Sequence, residues 1–532
     1  MNEFLQPTER SDRLIWPLDY LLSGGIALAS FITLVINYWL PAGKIFDEVY
    51  FARAAEDYLT RQYIYENTHP PITKLLITLS TMMFGGMHGG DNAYGWRFLD
   101  VVFGALTVWL LYALAKRVTK SSLFASYAAI LFAMDGMHFV QSRIATPESF
   151  VCFFSVASLY TFLRYWQAVQ ADTPFALAGR EWFVRGIGSL ACAVLAVGGT
   201  LLRFSHESRP AIALCIVWAF AGLYLAFRLL LEPRWLAPRP PAPPGQSERS
   251  GLWLALFATS IALLVTSKWY GIMSYGVAFV VVLGVWFQRK RPARWGNPRA
   301  FPLELILGVV VFVTGSIYAA SYTPQFIGLS DQPTSAPRAY TFTDVVTMQY
   351  NAFEYHLHLN DGGRNQHPYA SKWWQWPLDL RPILYSAEYS GSGPTATAAV
   401  IYTLPNPLIL WLGLLTVPWV GYLGLRERNK GYALVVLAYL LQWLPWMASP
   451  RIAFAYHFYV DIPLICLCNA IAAQRFWQMM RERGRDGFAV RAAVAGYLVA
   501  VIVSFAYFYP ILAGVAIPTH AWMQRMWLHS WI

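Results

Sequence analysis

The chain has 532 residues, of which 57% are apolar and only 13% charged, and its mean hydropathy is +0.40. Soluble domains carry roughly 45–50% apolar and about 25% charged residues, so too little polar surface remains here to cover a water-soluble globule; disorder, collagen and coiled coil are excluded by the same figures. Forty basic against 29 acidic side chains give a net charge of +11, but the basic residues sit between apolar runs, where they set topology rather than bind nucleic acid.

A helix needs about 20 apolar residues to span a bilayer. Such runs predict spans near 16–40, 97–115, 121–137, 147–163, 187–203, 210–227, 251–266, 270–287, 304–320, 398–424, 431–447, 452–472 and 492–513. The expected fold is therefore an all-α polytopic membrane protein with 11 to 13 transmembrane helices, one transmembrane domain over 1–532. The first run is long enough to stay as a span rather than be cleaved as a signal. The five cysteines lie in apolar stretches without a CxxC pair, so neither a disulfide framework nor a zinc site is indicated.

The basic stretches around Lys116–Lys120, Arg164–Arg185, Arg228–Arg249, Arg289–Arg294, Arg426–Lys430 and Arg475–Arg491 fall on alternate sides of these spans. The positive-inside rule makes those sides cytoplasmic, with the N-terminus inside as well. A Pro- and Arg-rich stretch, 232–251, reads as a cytoplasmic linker. Two long loops, 41–96 and 321–397, are left outside.

The first outer loop opens with Asp47 and Glu48 at the membrane edge. Neighbours on a helix point about 100° apart, so the two would not share one task. A solvated helix start is the plain alternative. The segment Glu66-Asn-Thr-His-Pro-Pro follows; a helix beginning at the prolines would offer its N-terminus, with His69 and Lys74, to an anion. A short outer turn carries Asp135, His138, Arg143 and Glu148, with an Arg143–Glu148 ion pair as the structural alternative. Lys268 lies between two apolar runs and could simply snorkel.

The second outer loop holds His356 and His358, weak candidates for a metal. It then runs from His367 to Tyr385 through Tyr369, Trp373, Trp374, Trp376 and Arg381. An interfacial belt explains part of this run; the interleaved Pro, His and Arg also suit sugar or peptide recognition. Arg451, whose guanidinium suits a phosphate, precedes Tyr456 and His457. All these clusters fall on one side of the membrane. A transporter would instead place polar groups at mid-span, and a scaffold would need none of them.

The segments FDEVYF, THPPITKLL, WRFLDVVFGALTV, MDGMHFVQSRIATPESF, HPYASKWWQWPLDLRPILY and SPRIAFAYHFY, in this order, resemble those of the protein O-mannosyltransferases, polyprenyl-phosphate-dependent glycosyltransferases of the GT-C fold. The second loop has no room for the MIR domain of eukaryotic members, which points to a bacterial type, with residues 360–366 and the spans within 187–227 not mapped onto the family. The resemblance implies inverting transfer of mannose from polyprenyl-phosphate-mannose to Ser or Thr of secreted or membrane proteins. A divalent cation is a further cofactor candidate.

On that basis Asp47 is expected to act as general base and Glu48 to organise the site. His69, Arg143, Arg451 and Lys268 are expected at the donor phosphate. Glu148, His138, His367, Tyr369, Trp373, Trp374, Trp376, Arg381, Tyr456 and His457 are expected around sugar and acceptor. The partners expected are membrane lipids, the lipid-linked donor and an acceptor polypeptide, such as one leaving a translocon, at the outer face of the cell membrane. The alternative within the same fold is transfer of aminoarabinose or another sugar to lipid A or an envelope glycan.

Overall fold

The computed structural model describes residues 17–84, 92–171, 247–287, 303–330, 335–359, 367–449, 451–485 and 487–532. The spans expected near 187–203 and 210–227, most of the 232–251 linker and residues 360–366 lie outside the described residues. Six described helices are long and apolar enough to cross a membrane: Pro17–Val35, Ala93–Thr119, Pro407–Arg426, Lys430–Ala448, Ala455–Glu482 and Phe488–Ala513. Shorter apolar helices, Ser122–Ala133, Gly251–Ser267, Trp269–Val281 and Ile306–Ser321, stand where further spans are expected. The chain is a multi-pass membrane protein.

The described residues fall into two units: one within 17–60, 73–156 and 359–532, the other within 61–72 and 157–358. The larger contains α1 (Pro17–Val35), α2 (Glu48–Thr60), nearly all of α3 (Ile72–Met83), α4 (Ala93–Thr119), α5 (Ser122–Ala133), α6 (Gly136–Gln141) and the start of α7 (Glu148–Ala171). Three of its helix starts are capped by short polar side chains: Asn92 accepts from the Tyr94 amide at 2.9 Å, Asp135 from that of His138 at 2.9 Å, and Asn406 from that of Leu408 at 3.2 Å. Pro407 then takes the first helical position, where no amide proton is missed.

At the centre, helix Ile462–Glu482 packs on α4, α5 and Pro407–Arg426. Asn469 hydrogen-bonds Thr416 and the Ile409 carbonyl across that contact, the polar glue of helices in lipid. Leu21, Leu415 and Val503 point outward, as a hydrocarbon solvent permits.

One expected span begins late. Residues Thr397–Thr403 of the run near 398–424 form strand β2, antiparallel to β1 (Ile383–Ser390), and the helix starts only at Pro407. The β-branched Val400-Ile401 suits a strand, and Pro405 and Pro407 separate it from the helix. A two-residue β3 (Ile517–Pro518) closes the sheet. The pairing slips between Leu384 and Ser386, so Tyr385 is the extra residue of a β-bulge. The sheet joins the core: Ile383, Tyr385 and Tyr402 pack in one cluster with Ile45, Val101, Phe139, Tyr456 and Phe508.

The smaller unit pairs Ser247–Ser267 with Leu303–Ser321. Phe162 of α7 meets Phe257, and the Arg164 guanidinium lies 4.0 Å over Trp253. Helix Phe342–His358 and segment 61–72 also belong to it.

Candidate active site

The site grows from the loop between α1 and α2. Arg97, one turn into α4, is fully buried and turns back on this loop. Its Nε and Nη2 donate to the two oxygens of Glu48 at 2.6 and 2.7 Å. The remaining donors reach the carbonyls of Tyr38, Pro41 and Gly43 at 3.2, 2.9 and 3.1 Å. All five N–H groups of the guanidinium are therefore used. Glu48, also fully buried, accepts in addition from the amides of Ala145 and Ile45 at 2.9 and 3.0 Å. This carboxylate is committed to structure, and a buried pair holds only when each remaining donor and acceptor is met in this way.

One turn along α4, Asp100 accepts from the Ser149 hydroxyl at 2.6 Å. Arg97 and Asp100 thus fasten two loops to one helix face, the loop carrying Asp47 and the turn carrying Glu148. Gly104 permits the close approach of that turn, because a Cβ there would collide with the Ser142 side chain. Composition and spacing pass over both charged residues. The available signal was their presence inside an apolar span, where ionisable side chains are costly.

Asp47 lies half-buried immediately before α2, its carbonyl accepting from the Tyr50 and Phe51 amides. Its carboxylate therefore sits where the positive end of the helix favours an anion. Phe46, just before it, has a φ of +47°, a conformation costing about 1–2 kcal/mol for a residue with a side chain. The Phe46 ring stacks on Tyr385 at 4.2 Å and meets Tyr456 edge-on at 6.0 Å. Gln141 donates to the Tyr385 hydroxyl at 2.9 Å. Burial, and behind it Glu148, Tyr456 and Asp47, pushes the Tyr385 phenol well above its ordinary value. The same electrostatic neighbourhood thus contains two carboxylates and two phenols.

Arg143 is buried beside this group. Its Nη2 donates to the Asn37 carbonyl at 2.9 Å and its guanidinium covers Phe139 at 4.4 Å. Tyr509 lies beside it as a further hydrogen-bonding and electrostatic partner, and burial lowers the group to about 10. Arg451 is half-buried, with Nε on the Ile452 carbonyl at 3.3 Å.

Several expected sugar or acceptor residues point into the protein. His138 is fully buried, its Nδ1 2.8 Å from the Tyr459 hydroxyl and its ring 4.0 Å from Phe132; the short apolar helix before it carries it into the core. His457 is buried, bonds the Phe454 backbone through Nδ1 and lies parallel to Trp376. Trp376 is itself buried, with Nε1 on the Ser371 hydroxyl. Trp373 packs on Trp443, and Arg381 binds the carbonyls of Pro368, Ser530 and Ile532 while covering Tyr369 at 5.0 Å. Trp374 and His367 are exposed, and Tyr456 joins the Phe46–Tyr385 group.

In the smaller unit, one oxygen of Glu66 gathers His69 Nδ1 at 2.8 Å, the Thr68 hydroxyl at 2.6 Å and the amides of both. The His69 ring meets His356 at 5.0 Å, and His356 Nε2 lies 3.0 Å from the Thr68 carbonyl. Lys268 is buried at the start of a 3₁₀ turn, its Nζ 5.5 Å from the Tyr270 ring. Among the described residues no three His, Cys, Asp or Glu side chains come together as a metal site would require.

The whole architecture aligns with one chain of the yeast (Saccharomyces cerevisiae) protein O-mannosyltransferase Pmt1-Pmt2 complex bound to the sugar donor, with a TM-score of 0.68 over 99% of this chain and 95% of that one, at 13% identity. That likeness defines the fold as GT-C.

Residues 25–202 match the family model of dolichyl-phosphate-mannose–protein mannosyltransferases, and residues 341–531 match the C-terminal four-transmembrane region of protein O-mannosyltransferases. Relatives named polyprenol-phosphate-mannose–protein mannosyltransferase in Mycobacterium tuberculosis and Mycolicibacterium smegmatis are each 26% identical over 97% of this chain, spanning 93% and 94% of their own length. The chain belongs to the protein mannosyltransferase family.

Proposed function

We propose that this enzyme transfers mannose from polyprenyl-phosphate-mannose to a Ser or Thr hydroxyl of a protein at the extracytoplasmic face, with inversion. Support for the substrates comes from the names of full-length relatives, which do not favour an aminoarabinose or other envelope-glycan transferase. Support for the mechanism comes from one observation: of two adjacent carboxylates, Glu48 is consumed by Arg97 and two amides, while Asp47 stands half-buried at the start of α2.

In this reading Asp47 takes the proton of the acceptor hydroxyl. The oxygen attacks the anomeric carbon, the bond from that carbon to the phosphate oxygen breaks, and polyprenyl phosphate leaves. Charge grows on the phosphate, so a cation placed beforehand stabilises the transition state. Arg143 and Arg451 are assigned that task. His69 and Lys268 are assigned to the phosphate on the family resemblance alone. Phosphate is a good leaving group, so no second catalytic carboxylate is demanded, which suits a structural Glu48. Tyr456 and Glu148 border Asp47's surroundings and are assigned to sugar or acceptor. Transfer measured with and without a chelator tests for a divalent cation.

The test is transfer of labelled mannose from a short polyprenyl-phosphate-mannose to a Ser/Thr-rich peptide by protein in detergent. Wild type is expected to transfer. Asp47→Asn is expected to lose about 10²-fold or more of the rate, the scale of general-base catalysis, while binding donor normally. Donor binding without transfer by wild type would overturn the protein acceptor.

A further inference from the structure

Two backbone irregularities meet at one pair of rings. Phe46 is held at a φ of +47°, and Tyr385 is the extra residue of the β1 bulge. They come from segments more than 300 residues apart, and their rings stack at 4.2 Å with 21° between planes. Left-handed backbone at a bulky residue persists only where the surroundings over-determine it, and a bulge re-aims one side chain out of the strand's alternation. Each irregularity alone is a local curiosity. Together they place one ring on the other immediately before Asp47.

We propose that Phe46 and Tyr385 are positioning residues: their stack holds the left-handed turn that aims the Asp47 carboxylate. This rests on the reading of Asp47 as the base. The stack is itself braced. Gln141 donates to the Tyr385 hydroxyl at 2.9 Å and is fully buried, and Tyr456 closes the edge of Phe46 at 6.0 Å. Directly after Asp47, Glu48 is fixed by Arg97. Asp47 is therefore held from both sides along the chain, by a salt bridge after it and by an aromatic stack before it. The bridge fixes where α2 begins. The stack fixes the rotation of the residue preceding it, and so the direction in which the Asp47 side chain leaves.

The device makes a specific demand on chemistry. A base displaced by about 1 Å loses on the order of 10²-fold in rate without loss of ground-state binding. Phe46→Leu and Tyr385→Leu keep apolar volume and remove the stack. Each is expected to lower kcat at least tenfold while the KM for a short polyprenyl-phosphate-mannose stays within about twofold, as for an interaction felt only in the transition state. Tyr385→Phe keeps the ring and should recover most of that rate. Phe46→Gly accepts the left-handed backbone without a ring, and it should be as slow as Phe46→Leu if the stack sets the aim. The double variant Phe46→Leu/Tyr385→Leu should be little worse than either single one, because both remove one interaction.

Melting of each variant in detergent separates misfolding from misalignment. Should Tyr385→Leu not fold, Phe46→Leu against Phe46→Gly decides. Wild-type kcat in Phe46→Leu and Tyr385→Leu, with Asp47→Asn inactive, would overturn the positioning device and leave the base standing. Multiplying losses in the double variant would overturn the coupling. An active Asp47→Asn would remove the base itself, and the positioning of Asp47 with it.

Discussion

The acid-bearing loop at 37–48 and the aromatic run at 367–385 look equally rich in chemistry, yet they are built on different terms. In the loop, one of two adjacent carboxylates is wholly committed to structure, with all five donors of Arg97 and two amides directed into the fold. That commitment holds its half-buried neighbour in place at the start of α2. In the aromatic run Trp373, Trp376 and Arg381 are taken up by packing and backbone bonds, while His367 and Trp374 are exposed. Trp376 lies against His457, Trp373 against Trp443, and Arg381 binds three backbone carbonyls. The number of chemistry-bearing side chains in a segment does not measure how many meet a substrate. The balance of donors, acceptors and ring faces does.

The sharpest way to break this comparison is at Arg97. Arg97→Leu leaves the Glu48 charge buried without its partner, which costs about 3–5 kcal/mol. Against a total stability on the order of 5–15 kcal/mol, a large drop in melting temperature and in folded yield is expected. Arg97→Lys should rescue little, because a point charge cannot replace the two-pronged guanidinium contact with Glu48. An Arg97→Leu protein with wild-type melting and lost turnover would assign the pair to catalysis instead, and the contrast with Asp47 would fall.

The next effect separates two tryptophans two residues apart. Trp376 is 3% exposed and Trp374 is 46% exposed. Trp376→Ala should cost about 3–5 kcal/mol as a large core truncation, whereas Trp374→Ala should stay within about 0.5 kcal/mol in stability. If any ring of this run meets the acceptor, Trp374 is the exposed one, and Trp374→Ala should raise the acceptor KM with little change in melting. The opposite pattern, Trp376→Ala stable but defective in acceptor use, would return the run to substrate recognition.

This contrast also shows what the sequence makes legible. Helix positions follow from apolar runs, because a bilayer imposes one length on every span. The sheet was hidden, since Thr397–Thr403 continues an apolar run whose strand pairing with Ile383–Ser390 is a long-range event in three dimensions. Asp47, Arg143 and Glu148 stand out as charges at span edges. Arg97, Gln141, Phe46 and Tyr385 do not: their roles depend on a salt bridge, a hydrogen bond, a φ angle and a bulge, none of which is periodic. His138 and Trp376 are buried for the converse reason: a polar or aromatic residue type does not reveal which way the backbone turns it.

His367 carries the smallest expected effect and tests the same contrast at its softest point. Partial burial pushes its imidazole below the ordinary 6.5. Its ring stands edge-on to Phe454 at 5.1 Å, and Nδ1 accepts from the Tyr369 amide at 3.3 Å, a bond that protonation abolishes. A group whose folded value lies below its unfolded one takes up protons more readily in the unfolded chain. Its contribution is therefore present above pH 6.5 and lost as pH falls from there. Melting followed from neutral to mildly acidic pH should fall slightly more steeply for wild type than for His367→Gln, with the acceptor KM moving in parallel in both. If acid instead raises the acceptor KM in wild type alone, His367 meets the peptide, and the exposed end of the aromatic run belongs with Trp374 to the acceptor rather than to the packing beneath it.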